Sequence, residues 1–429
     1  MTTIFSPRQL IALFFLCGRA ALSPADACAQ RAASVLPNAA HAEALPVIET
    51  GGQHPMPDEW IDRDTGHRVR KLVRREGTNS SFYFTNPPFV PRRASSSGLM
   101  VFHGSTDNGR QLFVVDLETL AVRQLTDRVG GINGEIVAPD KGEAFYQSRD
   151  SVLSVDVRTG ASRLVIVLPK EMRGSIATVN ADASVIAGVT AGPEAAEIHR
   201  KYPAKADFFD RIFAAHVPHS LWTLDIKTGA ITTIHEENTW LGHVQFSPTD
   251  PELLMFCHEG PWHLLDRIWT INTRTGTVKK IHTRTVENEI AGHEFWSPDG
   301  RTIWYDLQIP RGVTFYLRGV DVATGDARTY TVARDDWGIH FNTSPDQTLF
   351  ASDGGDSSQV ARTKAGLWLN LLRADGQRLL AERLVNMRHQ RYRRDEPNVQ
   401  FTPDGRWIVF RGNFDGDVEV YAVEVAKSR

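Results

Sequence analysis

Four polar residues occupy the same position in successive copies of an internal sequence repeat. The most complete copy reads Trp240-Leu-Gly-His243-Val-Gln-Phe-Ser-Pro248, and a His or an Asn stands five residues before the proline in each copy. Imidazole and carboxamide groups can bind a divalent metal ion, and imidazole can also exchange a proton near neutral pH. A shared register indicates a shared site, which would hold His243, His293, His340 and Asn398.

The first chemistry that these residues suggest is metal binding. Glu396 precedes Asn398 by two residues, so on a strand the two side chains would point to the same side. Imidazole nitrogens combined with carboxylate and amide oxygens suit a borderline to hard ion such as Mn²⁺ better than a thiolate-seeking ion. We therefore predict a divalent metal site formed by His293, His340, Glu396 and Asn398, the alternative being polar groups that only hold water.

The second chemistry is proton transfer. His243 is our candidate for a general base, because an imidazole needs little adjustment of its pKa to accept a proton near neutral pH. His258 and His340 are weaker candidates, and each could instead be a hydrogen-bonded structural residue. Cys257 follows Phe256 on an apolar strand and is expected to be a small buried side chain and not a nucleophile.

The net charge of the chain limits the kinds of partner that it can bind. The formal net charge of -3 lacks the basic field that nucleic acid or an anionic membrane surface would require. One local basic run, Arg388-His-Gln-Arg-Tyr-Arg-Arg394, precedes Glu396 and could bind an anionic ligand, although such runs are often solvated loops. Within this run, Arg393 is the candidate to act at the reacting group of such a ligand, and Arg394 is the candidate to bind it.

Two kinds of turn divide the chain into blades. One has the form Ser/Thr-Pro-Asp-Gly, as at Ser297-Pro-Asp-Gly300, and the other has the form Asp-x-x-Thr-Gly, as at Asp225-Ile-Lys-Thr-Gly229. Both are hairpin signals because Asp and Gly accept the positive φ of tight turns. Seven β-rich runs lie between them about every 40 to 60 residues: Leu99–Phe102, Ala144–Tyr146, Val185–Ala187, Leu253–Phe256, Thr302–Tyr305, Thr348–Phe350 and Trp407–Phe410.

This pattern predicts an all-β fold, a seven-bladed β-propeller with four-stranded antiparallel blades. A strand near residues 58–73 should close the ring by pairing with the last strand, at residues 418–425. Both kinds of turn would lie on one rim of the ring. The opposite rim would carry the predicted site, the loop from His258 to Trp262, and an insertion from Thr190 to Ser220 in which Phe208 to Phe213 could form a short helix.

The N-terminus has the features of an export signal. Arg8 precedes an apolar run from Leu10 to Leu16, and Ala25-Asp-Ala27 fits a cleavage site. We therefore predict a signal peptide at 1–27, a linker at 28–55 and the propeller at 56–429, in a periplasmic or secreted protein. An uncleaved tail, or lipid attachment at Cys28, is the alternative.

The chain resembles the oligogalacturonate lyase family, seven-bladed propellers that cleave short pectic oligosaccharides by β-elimination. The resemblance is most specific at Trp240-Leu-Gly-His243, Cys257-His-Glu-Gly-Pro261, His293-Glu-Phe-Trp296 and Phe401-Thr-Pro-Asp404. It implies that His243 is the catalytic base and that His293 is a ligand of Mn²⁺.

The chain departs from the family pattern at three places. Glu396-Pro-Asn398 replaces a His-Pro-His pair of metal ligands, and Arg393 stands where the family has a glutamine ligand. His219 and Ser220 stand where the family has an arginine. These differences imply a divergent, exported relative whose metal ligands and substrate differ from those of the family.

The resulting hypothesis is a lyase that removes the C5 proton of a 4-linked uronide with His243. A metal ion or an arginine would neutralise the uronide carboxylate, and His219, Trp262 and Arg394 would bind the sugar. The alternative is a non-catalytic exported propeller that binds a sugar or an envelope protein. Hydrolysis ranks last, because the sequence contains neither a Gly-x-Ser-x-Gly elbow nor a convincing carboxylate pair.

Overall fold

The computed structural model describes residues 44–92, 95–170, 172, 174–355, 366–392 and 395–428. The chain divides into a unit at Met1–Ala44 and a compact unit at Leu45–Arg429, which contains the fold. The predicted signal peptide and most of the predicted linker lie outside the described residues, as do Arg393 and Arg394.

The compact unit is a seven-bladed β-propeller, as predicted. The N-terminal strands β1 (Val47–Ile48), β2 (Glu59–Asp62) and β3 (His67–Lys71) belong to the last blade. Blade 1 contains β4 (Asn79–Ser80), β5 (Phe89–Arg92), β6 (Ser95–Thr106), β7 (Gly109–Asp116) and β8 (Val122–Gln124). Blade 2 contains β9 (Asn133–Ala138), β10 (Glu143–Ser148), β11 (Ser151–Asp156) and β12 (Ser162–Val167).

The next two blades flank the helical insertion. Blade 3 contains β13 (Gly174–Val179), β14 (Val185–Ala191), β15 (His219–Asp225) and β16 (Ile231–Glu237). Helices α1 (Pro193–Lys201) and α2 (Lys205–Ala214) interrupt it between β14 and β15. Blade 4 contains β17 (Leu241–Phe246), β18 (Leu253–His258), β19 (Ile268–Asn272) and β20 (Val278–Lys280). The helix that we predicted from Phe208 to Phe213 is therefore confirmed as part of α2.

The last three blades complete the ring. Blade 5 contains β21 (Ile290–Trp296), β22 (Thr302–Gln308), β23 (Phe315–Asp321) and β24 (Ala327–Val332). Blade 6 contains β25 (Phe341–Thr343), β26 (Leu349–Asp353), β27 (Trp368–Asp375) and β28 (Arg378–Asn386). Blade 7 contains β29 (Gln400–Phe401), β30 (Trp407–Gly412) and β31 (Glu419–Lys427), with β3 as its outer strand. Short 3₁₀ helices occur at Trp262–Leu264 and Arg334–Asp336.

The N-terminal strands close the ring. β3 pairs antiparallel with β31, which confirms the predicted closure. β1 pairs parallel with β2, so Val47 lies opposite Ile61. β1 lies within the predicted linker at 28–55, and a strand of two residues is too short to show a periodic pattern in the sequence.

The hydrophobic core lies between the blades. Neighbouring blades share seven clusters of buried apolar side chains, one at each blade interface. Each of the seven β-rich runs recognised in the sequence lies in the second strand of its blade, where both faces are covered. Among the described residues, no helix is long and apolar enough to span a membrane.

Candidate functional site

The polar residues of the repeat lie where the innermost strands of four consecutive blades begin. His243 lies in β17 and His293 in β21, whereas His340 and Asn398 precede β25 and β29. The pairing with the second strand shifts its register around His243 and around His293, so each lies in a β-bulge. His243, His293 and Asn398 have φ values of 46, 49 and 54°. Three equivalent positions thus adopt a backbone that non-glycine residues rarely adopt, a feature that clusters at functional sites.

A segment of blade 1 brings the histidines together. Between β4 and β5 the chain enters the central channel, where the ring of Tyr83 lies 6.1 Å from that of His243 and 5.4 Å from that of His340. The ring of Phe84 lies 4.7 Å from that of His340 and 6.4 Å from that of His293. No motif marked this segment in advance, because Tyr83 and Phe84 stand in a short loop outside the repeat.

Phe84 also borders a separate cavity of about 530 Å³ on the side of the Pro-Asp-Gly turns, whose lining includes Pro139, Pro248 and Pro298. The crossing segment, residues 81–87, therefore forms the floor of the histidine site.

Two of the histidines are oriented by buried aspartates. Nδ1 of His293 lies 2.7 Å from Oδ1 of Asp306, and Nδ1 of His340 lies 2.8 Å from Oδ2 of Asp353. Both aspartates are almost completely buried. A carboxylate at Nδ1 leaves Nε2 as the free nitrogen, which is how metal-binding histidines are commonly held.

Glu396 supplies an oxygen near this pair. Its Oε2 lies 3.4 Å from Nε2 of His340, and its side chain is 38% exposed. The rings of His293 and His340 are 5.2 Å apart and nearly perpendicular. Two imidazoles with free Nε2 atoms and one carboxylate form a donor set that fits a divalent cation such as Mn²⁺.

Asn398 has a structural role that its sequence position did not suggest. Its Oδ1 accepts a hydrogen bond from the backbone N–H of Phe84 at 3.2 Å, and its Nδ2 donates to the backbone oxygen of Glu396. Its own N–H donates to Asp353. This carboxamide holds the crossing segment and the Glu396 backbone in place, and the metal role predicted for Asn398 stays a prediction.

His243 lies beside a buried charge network. Its Nε2 is 3.4 Å from Oε2 of Glu259, and its Nδ1 is 4.0 Å from Oε1 of Glu294. Arg267, which is 1% exposed, donates to both carboxylates at 2.9 Å. Burial alone would raise the pKa of Glu259, but Arg267 and His243 outweigh it and hold that pKa well below its usual range. Glu259 and Glu294 are therefore ionised beside the imidazole.

Trp262 connects this network to His293. Its Nε1 donates to Oε1 of Glu259 at 2.8 Å, the Arg267 guanidinium lies over its ring, and its ring centre is 5.2 Å from that of His293. Gly292 allows this contact, since a Cβ there would lie 2.4 Å from the Trp262 ring. Trp262 thus lies within the site, as the substrate-binding prediction requires.

Two predicted site residues lie elsewhere. Nε2 of His258 is 3.0 Å from Glu237, and its ring packs on Trp269, on the opposite face of its strand from Cys257. His219 is 3% exposed, and its Nδ1 lies 2.8 Å from the backbone oxygen of Val217. Burial lowers the pKa of both histidines. The structure therefore does not bring His258 and His219 together with the channel histidines, because their side chains make contacts elsewhere, and their predicted roles stay predictions.

The sequence contained signals for only some of the residues that surround the histidines. Glu259 and Glu294 stand inside the two motifs Cys257-His-Glu-Gly-Pro261 and His293-Glu-Phe-Trp296, so their positions were visible although their role was not. Arg267 belongs to no motif, and its pairing with Glu294 spans two blades. Only the folded ring shows that this guanidinium balances the two carboxylates.

Comparison with known proteins matches this architecture. The family model described as oligogalacturonate lyase covers residues 56–429. An oligogalacturonide lyase of Pectobacterium atrosepticum is 25% identical, and an oligogalacturonate lyase of Dickeya dadantii is 26% identical. Each alignment covers 86% of this chain and 96% of the relative.

A solved structure described as oligogalacturonate lyase in complex with manganese superimposes with a TM-score of 0.74. It is 26% identical to this chain, and the match covers 86% of this chain and 96% of that one. The family match spans the propeller from β2 onward, including the four repeats that carry the polar residues. This chain therefore belongs to the oligogalacturonate lyase family.

Proposed function

We propose that this protein is a lyase that cleaves a 4-linked uronide in a short acidic oligosaccharide by β-elimination. The observation that carries the proposal is the geometry of His243, a partly exposed imidazole that lies in the same channel as His293, His340 and Glu396. Membership of the oligogalacturonate lyase family supports it.

The chain's own residues account for the proton transfer. His243 takes the C5 proton of the sugar, and the electron pair of that C–H bond forms the C4–C5 double bond. The C4–O bond breaks with its electron pair on the leaving oxygen, which takes up a proton from water. The ionised Glu259 and Glu294 stabilise the imidazolium that forms. Because Arg267 compensates part of their charge, the site can hold both the base and an anionic sugar.

The uronide carboxylate must be neutralised before its C5 proton can be removed. His293, His340 and Glu396 would hold a divalent ion, which we propose to be Mn²⁺ because a related lyase is described in complex with manganese. Such an ion polarises the carboxylate and so acidifies the adjacent C–H bond. Trp262, next to His293, would pack against the sugar ring.

The reaction can be tested with oligogalacturonates. The purified protein should produce an unsaturated uronide, detected by its ultraviolet absorbance, and a chelator should suppress this activity until Mn²⁺ is restored. His243→Ala should abolish the absorbance change while leaving the thermal unfolding midpoint nearly unchanged, whereas His258→Ala is the matched control and should retain activity. Failure of the native, Mn²⁺-loaded protein to form unsaturated product from any uronide would favour a non-catalytic binding protein.

We also propose that the protein is exported. The charged residue, apolar run and small-residue site of the first 27 residues support this proposal. In cells that produce the full chain, mature protein recovered outside the cytoplasm should begin at Cys28. A lipid on Cys28 would show membrane anchoring, and full-length protein confined to the cytoplasm would contradict export.

A further inference from the structure

A second group of metal-ligating atoms lies beside the proposed base. His243, Cys257 and Glu259 each offer one ligand atom, and these three atoms lie within 4.8 Å of one another. In the part of the chain that the structure describes, this is the one group of three or more His, Cys, Asp or Glu side chains with ligand atoms this close together. Cys257 is completely buried and has no part in the elimination chemistry. The cluster therefore contains a thiol that the proposed reaction leaves unexplained.

The spacing of these atoms fits tetrahedral coordination. Oε2 of Glu259 lies 3.4 Å from Nε2 of His243 and 3.9 Å from Sγ of Cys257. Zn²⁺ binds imidazole at about 2.0 Å and thiolate at about 2.3 Å, which places neighbouring ligand atoms roughly 3.3 to 3.8 Å apart. The two separations that involve Glu259 are close to these values, whereas the His243 and Cys257 atoms, which lie within 4.8 Å of each other, would move closer together when an ion binds.

The neighbouring residues prepare the carboxylate for this geometry. Oε1 of Glu259 accepts hydrogen bonds from Arg267 and from Trp262, which fixes the carboxylate plane and turns Oε2 toward His243 and Cys257. Carboxylate ligands of metal ions are commonly held in this way by outer hydrogen bonds.

The local charge balance also favours a divalent ion. Glu259 and Glu294 carry two negative charges against the single positive charge of Arg267. A Cys257 thiolate would add one more negative charge, and a divalent cation would neutralise the resulting excess of two. Arg267 therefore does not prevent binding, because the two carboxylates outnumber it.

Access comes from the channel. The His243 side chain is 29% exposed, whereas those of Glu259 and Cys257 are covered by the protein. An ion that enters past His243 would meet three protein ligands and keep its fourth position toward the channel, the arrangement of an open zinc site.

We propose that His243, Cys257 and Glu259 form a second metal site, selective for a thiolate-binding divalent ion such as Zn²⁺, and that its occupation inhibits the enzyme. Binding releases the thiol proton to water, and the nitrogen lone pair of His243 that binds the ion can no longer accept the C5 proton. The donor set at His293, His340 and Glu396 contains no thiolate, so the two sites prefer different ions. Inhibition rests on the proposed function, but metal binding does not.

Cobalt can report on the proposed site directly, because a thiolate bound to Co²⁺ gives a charge-transfer absorption in the near ultraviolet. The full chain with Cys17→Ser and Cys28→Ser, which leaves Cys257 as its one cysteine, would be freed of metal and titrated with Co²⁺. We expect this absorption to saturate at one equivalent and to be displaced by Zn²⁺ but not by an equal concentration of Mn²⁺.

Variants decide which residues bind the ion. Cys257→Ser should remove the absorption, His243→Ala should weaken cobalt binding at least about tenfold, and His258→Ala should leave both unchanged. If Cys257→Ser does not fold, as judged by circular dichroism, the cobalt affinity of His243→Ala decides whether this cluster binds the ion, because the His243 side chain is partly exposed and its loss should disturb the fold less. Absence of the absorption from the parent protein, or its persistence in folded Cys257→Ser, would overturn the proposal.

Activity measurements test the inhibition separately. Zn²⁺ added to the Mn²⁺-loaded enzyme should lower the lyase rate in parallel with the displacement of Co²⁺ measured spectroscopically. A lyase rate that stays constant while Zn²⁺ fills the site would refute the inhibition. If no uronide is cleaved at all, the proposed function fails, and the cobalt spectrum still decides whether the site exists.

Discussion

At the residue scale, the site depends on buried carboxylates that hold histidines. Asp306 and Asp353 each fix one imidazole, whereas His243 faces Glu259 and Glu294. These acidic partners determine which ring nitrogen is free and whether an imidazolium is stabilised. The repeat register set His243 apart from His258, but only the structure shows which carboxylate each of them meets.

Glu259→Gln should separate positioning from substrate binding. The substitution keeps the shape of the side chain but removes the negative charge that stabilises protonated His243. We expect kcat to fall about 100-fold with little change in KM, measured on oligogalacturonates with the Mn²⁺-loaded enzyme. An equal loss in a matched substitution outside the site, Glu237→Gln beside His258, would contradict this role.

Arg267→Met should destabilise the fold. Removing a buried guanidinium leaves Glu259 and Glu294 without their cation, which typically costs about 3 to 5 kcal/mol. Denaturant unfolding would measure the loss. Arg274→Met, which removes an exposed partner of Glu252, is the control and should change stability very little. A stable Arg267→Met protein would show that the two carboxylates do not need this cation.

At the element scale, the innermost strands and the crossing segment create the site together. The equal register of the strands was visible in the sequence, but the bulges at His243 and His293 and the loop that carries Tyr83 and Phe84 determine where the rings point. Glu135 in β9 anchors that loop by accepting a hydrogen bond from the backbone N–H of Tyr83 at 2.9 Å. Blade 2 therefore supports a site that is built mainly from blades 4 to 7.

The anchoring by Glu135 should appear as a dependence of stability on pH. Burial alone would raise the pKa of Glu135, but His103, the Tyr83 amide and Arg411 lower it to about 2. Burial also lowers the pKa of His103, whose Nε2 lies 3.4 Å from Oε1 of Glu135. The pKa of Glu135 in the folded protein therefore lies below that of a glutamate in the unfolded chain. The stabilisation that ionised Glu135 contributes is present above about pH 4.5 and is lost as the pH falls toward about 2.

Glu135→Gln should therefore lower the free energy of unfolding near neutral pH by about 2 kcal/mol and flatten its decline in acid. Denaturant unfolding at a series of pH values would measure both effects. Glu143→Gln, which removes a partner of Arg163 at the surface of the same blade, should leave the acid dependence unchanged. Identical pH profiles for the native protein and Glu135→Gln would rule out this role.

At the scale of the whole molecule, the ring is closed by its own N-terminal strands. Trp60 in β2 is fully buried, donates to Thr50 and packs edge-on against Tyr421 of β31 at 5.9 Å. The last blade lacks its outer strand until β3 pairs with it. Closure thus connects the two ends of the compact unit and covers the interface between blades 6 and 7.

Trp60→Ala should weaken the closed ring. Loss of a buried tryptophan costs about 3 to 5 kcal/mol, and the thermal midpoint should fall accordingly. Val313→Ala, at an exposed apolar position, is the control and should change the midpoint very little. An unchanged midpoint in Trp60→Ala would mean that β2 contributes little to closure.

The sequence by itself determined the repeat: seven strand runs, the turns between them, the closure and the register that places His243, His293 and His340 at one height. These features follow from local turn chemistry and periodicity, which a single chain displays directly. Only the tertiary structure decided that Asn398 holds the crossing segment, that His219 and His258 turn away, and that Arg267, Glu259 and Cys257 lie beside His243. Those contacts join residues of different blades or depend on the direction of a bulge, and neither leaves a periodic signal in the chain.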